Sequence, residues 1–142
     1  MASESQQPAS PPKFHIPEIG MATLEDSIIY YDGHILFTIR DQHNHRYYAF
    51  WADSDAESDI LWFVWIDDKR YASLLDGEID IRQPFFDRPN VLIARRPFST
   101  GEYASAQWVR QEDLDVSCLP PVGDRFGKDS GIYPEALPPD IS

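Results

Sequence analysis

The chain has 142 residues, 42% hydrophobic and 13% aromatic, with 24 acidic side chains against 12 basic ones and a net charge of −12. This length suits one domain whose core needs neither disulfide nor metal, and the lone cysteine, Cys118, forms no internal bridge, which fits a reducing cytoplasm. The acid excess excludes a broad phosphate-binding surface, hence double-stranded nucleic acid, and no apolar run nears the roughly 18 residues of a membrane span.

Residues 1–22 begin "MASESQQPASPPKF", without the basic start and apolar stretch of a secretory signal. Such a segment buries too little to offset its chain entropy, so a disordered leader is expected there. Residues 23–119 hold nearly all the aromatic and β-branched content and read as a single β-rich domain. "IIYY", Asp32-Gly33 and "HILFTIRD" make a hairpin whose two-residue turn suits type I′. "QHNH" and "SDAES" are the next polar breaks, so a four-strand antiparallel meander is predicted over 28–31, 34–41, 46–53 and 59–66. In the fourth strand Ile60, Trp62, Val64 and Ile66 share one face, and Leu61, Phe63 and Trp65 the other. A strand apolar on both faces is either central and covered twice, or shows a patch to a partner.

"DDKRYASLLDGE" breaks the alternation. Asp67 or Asp68 can cap a helix over 68–76, Tyr71, Leu74 and Leu75 fall on one side, and Gly77 suits the position after its end. The prolines of "IDIRQPFFDRPN" prevent a long element, "VLIARR" and "EYASAQWVR" read as a C-terminal hairpin, and "QEDL" as one helical turn. Residues 120–142 hold five of the twelve prolines and are expected to be partly docked or disordered. The fold class expected is α+β: mainly an antiparallel twisted sheet, a four-strand meander plus a C-terminal hairpin, with one short helix.

The stretches "YYDGHILFTIRD", "RYYAFWAD", "LLDGEIDIR" and "VRQEDLDVSCLPPVGDRF" resemble an uncharacterised family of small bacterial domains, a domain of unknown function. The likeness spans roughly residues 24–126 and rests mostly on turns and core positions. That family carries no assigned activity, so the resemblance implies no site residue, cofactor or partner.

Catalytic and metal motifs fail on spacing. The alternate carboxylates Asp53, Asp55, Glu57 and Asp59 suggest calcium, but an EF-hand begun at Asp53 needs Gly and Glu where Ser58 and Val64 stand. His43 and His45 lack the third and fourth ligands of a zinc site and sit where a turn is required. Cys118 has no basic or histidine neighbour in sequence to activate it, and the glycines form no phosphate loop. No catalytic residue, metal or cofactor is therefore assigned; a hydrolytic enzyme using an unrecognised carboxylate/His site is the third reading.

The first reading is a non-enzymatic protein-interaction domain, by analogy an antitoxin, immunity protein or accessory subunit, that binds a basic protein. Its surface would be the aromatics Trp51, Trp62, Phe63 and Trp65, rimmed by Asp53, Asp55 and Glu57. A second copy of the chain could also cover that aromatic face. The alternative is a small-molecule or nucleotide-binding module built on Arg88, Arg95, Arg96 and Arg110, although the adjacent Arg95 and Arg96 should point to opposite faces.

Overall fold

The computed structural model describes residues 13–30, 34–119 and 126. Seven strands lie in sheet order as they do in sequence: β1 Lys13–Ile16, β2 Gly20–Tyr30, β3 His34–Asp41, β4 Arg46–Ser54, β5 Ser58–Trp65, β6 Asn90–Pro97 and β7 Ser105–Arg110. Every neighbouring pair is antiparallel. The fold is thus the expected mainly antiparallel α+β class, with one α-helix, α1 Asp68–Leu75, among the described residues.

Two expectations need correction. Residues 13–22 are not part of a leader: β1 pairs Phe14 with Ala22 and Ile16 with Gly20, and β2 begins eight residues before the predicted 28. Only two apolar residues alternate in β1, too few to register as a strand beside the prolines that precede it. The expected C-terminal hairpin continues the meander: β6 pairs with β5, Phe63 opposite Leu92 and Leu61 opposite Ala94, which makes one sheet. The Asp32-Gly33 turn and the tail lie outside the described residues, apart from Phe126, which is buried.

Helix α1 starts as the residue types demand. The Asp67 side chain accepts the Arg70 N–H at 2.7 Å, satisfying an otherwise unpaired donor of the first turn. At the other end Gly77 has φ +78°, the Glu78 N–H reaches the Ser73 carbonyl at 2.9 Å and the Gly77 N–H reaches Leu74 at 3.2 Å. That is a Schellman closure, which needs a left-handed residue after the helix. A Cβ at Gly77 would also collide with the Phe126 carbonyl, so Phe126 seats on this turn.

The sheet has a core on each side. On one, Tyr48, Phe50, Trp62 and Val64 meet Tyr71 and Leu74 of α1, with Leu114, Leu119 and Phe126. Phe85, fully buried, is driven into the middle by a 3₁₀ turn over Gln83–Phe86 that has Pro84 near its start. Its ring lies 5.3 Å from Tyr48, 6.2 Å from Phe50 and 5.9 Å from Trp62, and the Tyr48 hydroxyl donates to the Ile81 carbonyl at 2.8 Å.

The other side holds Ile16, Phe37, Ile39, Leu61, Phe63 and Leu92, closed by Tyr103. Tyr103 packs at 5.7 Å on Phe63 and at 5.8 Å on Phe14 of β1. In a flat sheet the outermost of seven strands would stand about 29 Å apart at the usual spacing of about 4.8 Å. The Phe14–Tyr103 contact therefore requires the sheet to curl around this face. Register shifts in β2 near Glu25, Ile28 and Ile29, and in β4 between Trp51 and Asp53, supply the local bends.

Candidate interaction surface

With both faces covered, β5 is core along nearly its whole length. Trp62 and Phe63 are 3% and 0% exposed, so neither belongs to an interaction surface; they fill the two sides of one central strand. Trp51 is half-buried and donates its indole N–H to the Asp53 carbonyl at 3.0 Å. Trp65 alone of the predicted β5 aromatics reaches the surface, at 37% exposure.

The carboxylates expected to rim those rings sit elsewhere. Asp53 lies near the end of β4 and Asp55 and Glu57 in the turn that follows, whereas Trp65 ends β5, about 23 Å from Ser58 at its start at 3.3 Å per residue. Asp55 caps its own turn, accepting the Glu57 and Ser58 N–H groups at 2.8 Å, and it pairs with Arg95. The Arg95 hydrogen bond, followed by those two amides, lowers its pKa to about 2. The Glu57 carbonyl accepts the Phe98 N–H at 2.8 Å, which ties this tip to the β6–β7 turn.

The four arginines of the alternative reading do not converge. Arg95 is held by Asp55 and by the Ser58 hydroxyl at 3.0 Å. Arg96 bonds Asp59 at 2.9 Å, its guanidinium 5.5 Å from the Tyr103 ring on the curled face. Arg110 is 69% exposed and loosely held by Glu112 at 3.7 Å and Asp113 at 3.6 Å. Arg88 has no ion pair among the described residues. It stacks 3.8 Å over the Trp65 ring, with its Nε buried and unbonded, beside a shallow depression of about 280 Å³ that also touches Arg70 and Asp87. Arg70 and Asp87 close that depression by pairing with each other through two bonds of 2.9 Å.

His43 and His45 lie in the β3–β4 turn, as their neighbours implied. Asp41 accepts both of their backbone N–H groups, at 2.8 and 2.9 Å, and faces the His45 ring at 3.3 Å. No three side chains able to ligate a metal gather among the described residues. Cys118 is partly covered, and burial, then the Asp115 charge, raises its thiol pKa, which keeps the thiolate scarce.

A second charged cluster binds α1 to the sheet. Glu25 stands at a bulge in β2, which turns its carboxylate toward Thr38, Arg40 and Arg46 at 3.0, 2.9 and 2.8 Å. Arg46 also bonds Asp68 at 2.6 Å and lies 4.3 Å from the Tyr71 ring, whose hydroxyl donates to Asp26 at 2.7 Å. No spacing in the sequence joins residues so far apart.

The surface the residues themselves did not announce is β7. Its six residues, "SAQWVR", alternate little in burial, and among the described residues they pair only with β6. Trp108 is 46% exposed; it lies opposite Leu92 and so projects on the curled face, as Trp65 does two strands away. Glu102 before the strand and Glu112 and Asp113 after it are exposed. A strand edge that no described strand pairs, with an open indole and no proline or lysine, lacks the usual protection against pairing. No helix of the described residues is long and apolar enough to cross a membrane. No family model, curated protein or solved structure matches the chain.

Proposed function

We propose that the chain is a non-enzymatic protein-interaction domain whose partner is a basic protein, in the manner of an antitoxin, immunity protein or accessory subunit. The observation that carries this reading is the β7 edge with its exposed Trp108. Charge supports the sign of the partner. Arg40, Arg46, Arg70, Arg95, Arg96 and Arg110 all face carboxylates of the chain itself. The excess of acid in a chain of net charge −12 therefore remains to face outward.

Affinity capture from the native host tests it, using the wild-type chain and Trp108→Ala, with partners identified by mass spectrometry. A basic protein is expected with wild type, reduced about tenfold or more with Trp108→Ala, since exposed tryptophans are frequent hot spots. Unchanged circular dichroism would show that the variant is folded. An acidic partner, or capture indifferent to Trp108, would sink the reading.

The second reading, a small anionic ligand, is favoured by one observation: the Arg88 guanidinium, with a buried unbonded Nε and no ion pair among the described residues, stacked on Trp65 beside its depression. Titration with inorganic phosphate or acetate, followed by Trp emission, separates it from the first. Saturation that disappears in Arg88→Gln would support it.

A further inference from the structure

We infer that β7 accepts an extended cationic peptide segment as an eighth strand; this rests on the protein-interaction reading and names how the partner is held. The register fixes which groups are offered. Gln111 donates its N–H to the Pro89 carbonyl at 2.8 Å, one step beyond the Asn90–Arg110 pair. Hydrogen-bonded positions alternate along an antiparallel ladder, so Ser105, Gln107 and Val109 bond to β6. The N–H and C=O groups of Ala106, Trp108 and Arg110 then point away from β6, three residues' worth of donors and acceptors in a row that no strand of the described residues takes up.

Side chains choose the occupant. Residues of an added strand that face the curled side would lie against Trp108 and must be apolar there. At the strand's ends the exposed groups are acidic: Glu102 at the entry, Glu112 and Asp113 at the exit. Arg110 is the only cation in β7, and its ion pairs at 3.6 and 3.7 Å leave two carboxylates around one guanidinium. A segment with lysine or arginine near both ends matches this pattern, whereas an acidic segment or a second acidic copy of the chain meets like charge.

The test uses the full chain and a fluorescein-labelled octapeptide of alternating Lys and Val, read by anisotropy and by amide hydrogen exchange. Binding should weaken as salt rises and should slow exchange at Ala106, Trp108 and Arg110. Of two versions N-methylated on one or the other alternate set of residues, one should lose affinity about tenfold or more, having lost its edge bonds, and the other should retain it. Glu112→Lys with Asp113→Lys, both at exposed positions, should weaken the peptide in the same assay. If the peptide binds with protection elsewhere, or both methylated versions bind alike, the edge inference falls while the basic-partner reading stands. A preference for the matching Glu–Val peptide, or no binding of the Lys–Val peptide, overturns both. A concentration-dependent dimer that protects those three amides and excludes the peptide overturns the inference in favour of a second copy.

Discussion

Glu25 draws hydrogen bonds from Thr38, Arg40 and Arg46 although its carboxylate is partly withdrawn from water. Burial alone would raise its pKa, but bonds from Arg46, Arg40 and Thr38 outweigh that and hold it below the ordinary value. A carboxyl with a lowered folded pKa stabilises the fold above its unfolded pKa of about 4.3, and the contribution fades as pH falls through the folded value. Glu25→Gln should therefore cost about 1–3 kcal/mol at pH 7 and much less near pH 3. Urea midpoints measured across that range check it, and a pH-independent difference would refute the charge argument. Arg46→Met should also cost stability at neutral pH, because Glu25 keeps Arg40 and Thr38 but loses its bonds to Arg46.

At the scale of the element, β5 and α1 make contrasting demands. Trp62→Ala empties a site packed against Phe85 and should cost about 3–5 kcal/mol, whereas Trp65→Ala removes a ring open to solvent and should cost under about 1 kcal/mol. Thermal melts of the two variants would show the gap, and equal losses would mean that Trp65 is core as well. Gly77→Ala forces a Cβ into a left-handed residue, at about 1–2 kcal/mol before any collision with Phe126. The helix was legible because capping and periodicity are local, and so was the two-faced pattern of β5. Which of its rings reach water was not. That depends on the Gln83–Phe86 turn on one side and on Tyr103 on the other, and neither is adjacent in sequence.

For the whole molecule, charge and shape act together. With −12 net and Arg40, Arg46, Arg70, Arg95, Arg96 and Arg110 paired to its own carboxylates, the chain should attract a basic partner over distance. Raising salt from about 50 to 500 mM, which shortens the screening length to about 4 Å, should lower the association rate with that partner about tenfold while changing dissociation little. Stopped-flow mixing would measure both, and a salt-independent association rate would argue against electrostatic steering. The length of one extended strand also separates features that look contiguous on paper: the acidic tip of residues 53–57 and Trp65 lie at opposite ends of β5.

Patterns of one to seven residues determined the class of this protein by themselves, since strand alternation, turn residues and helix caps act through local sterics and hydrogen bonds. They supplied the strands from 34 onward, the helix, and the failure of the calcium and zinc motifs. Tertiary structure alone decided that β1 joins the sheet, that Trp62 and Phe63 are core, and that Arg95 and Arg96 are occupied by carboxylates. It also left β7 at one edge of the described sheet. An edge is defined by what does not pair beside it, and that is a property of the completed sheet rather than of the six residues in the strand.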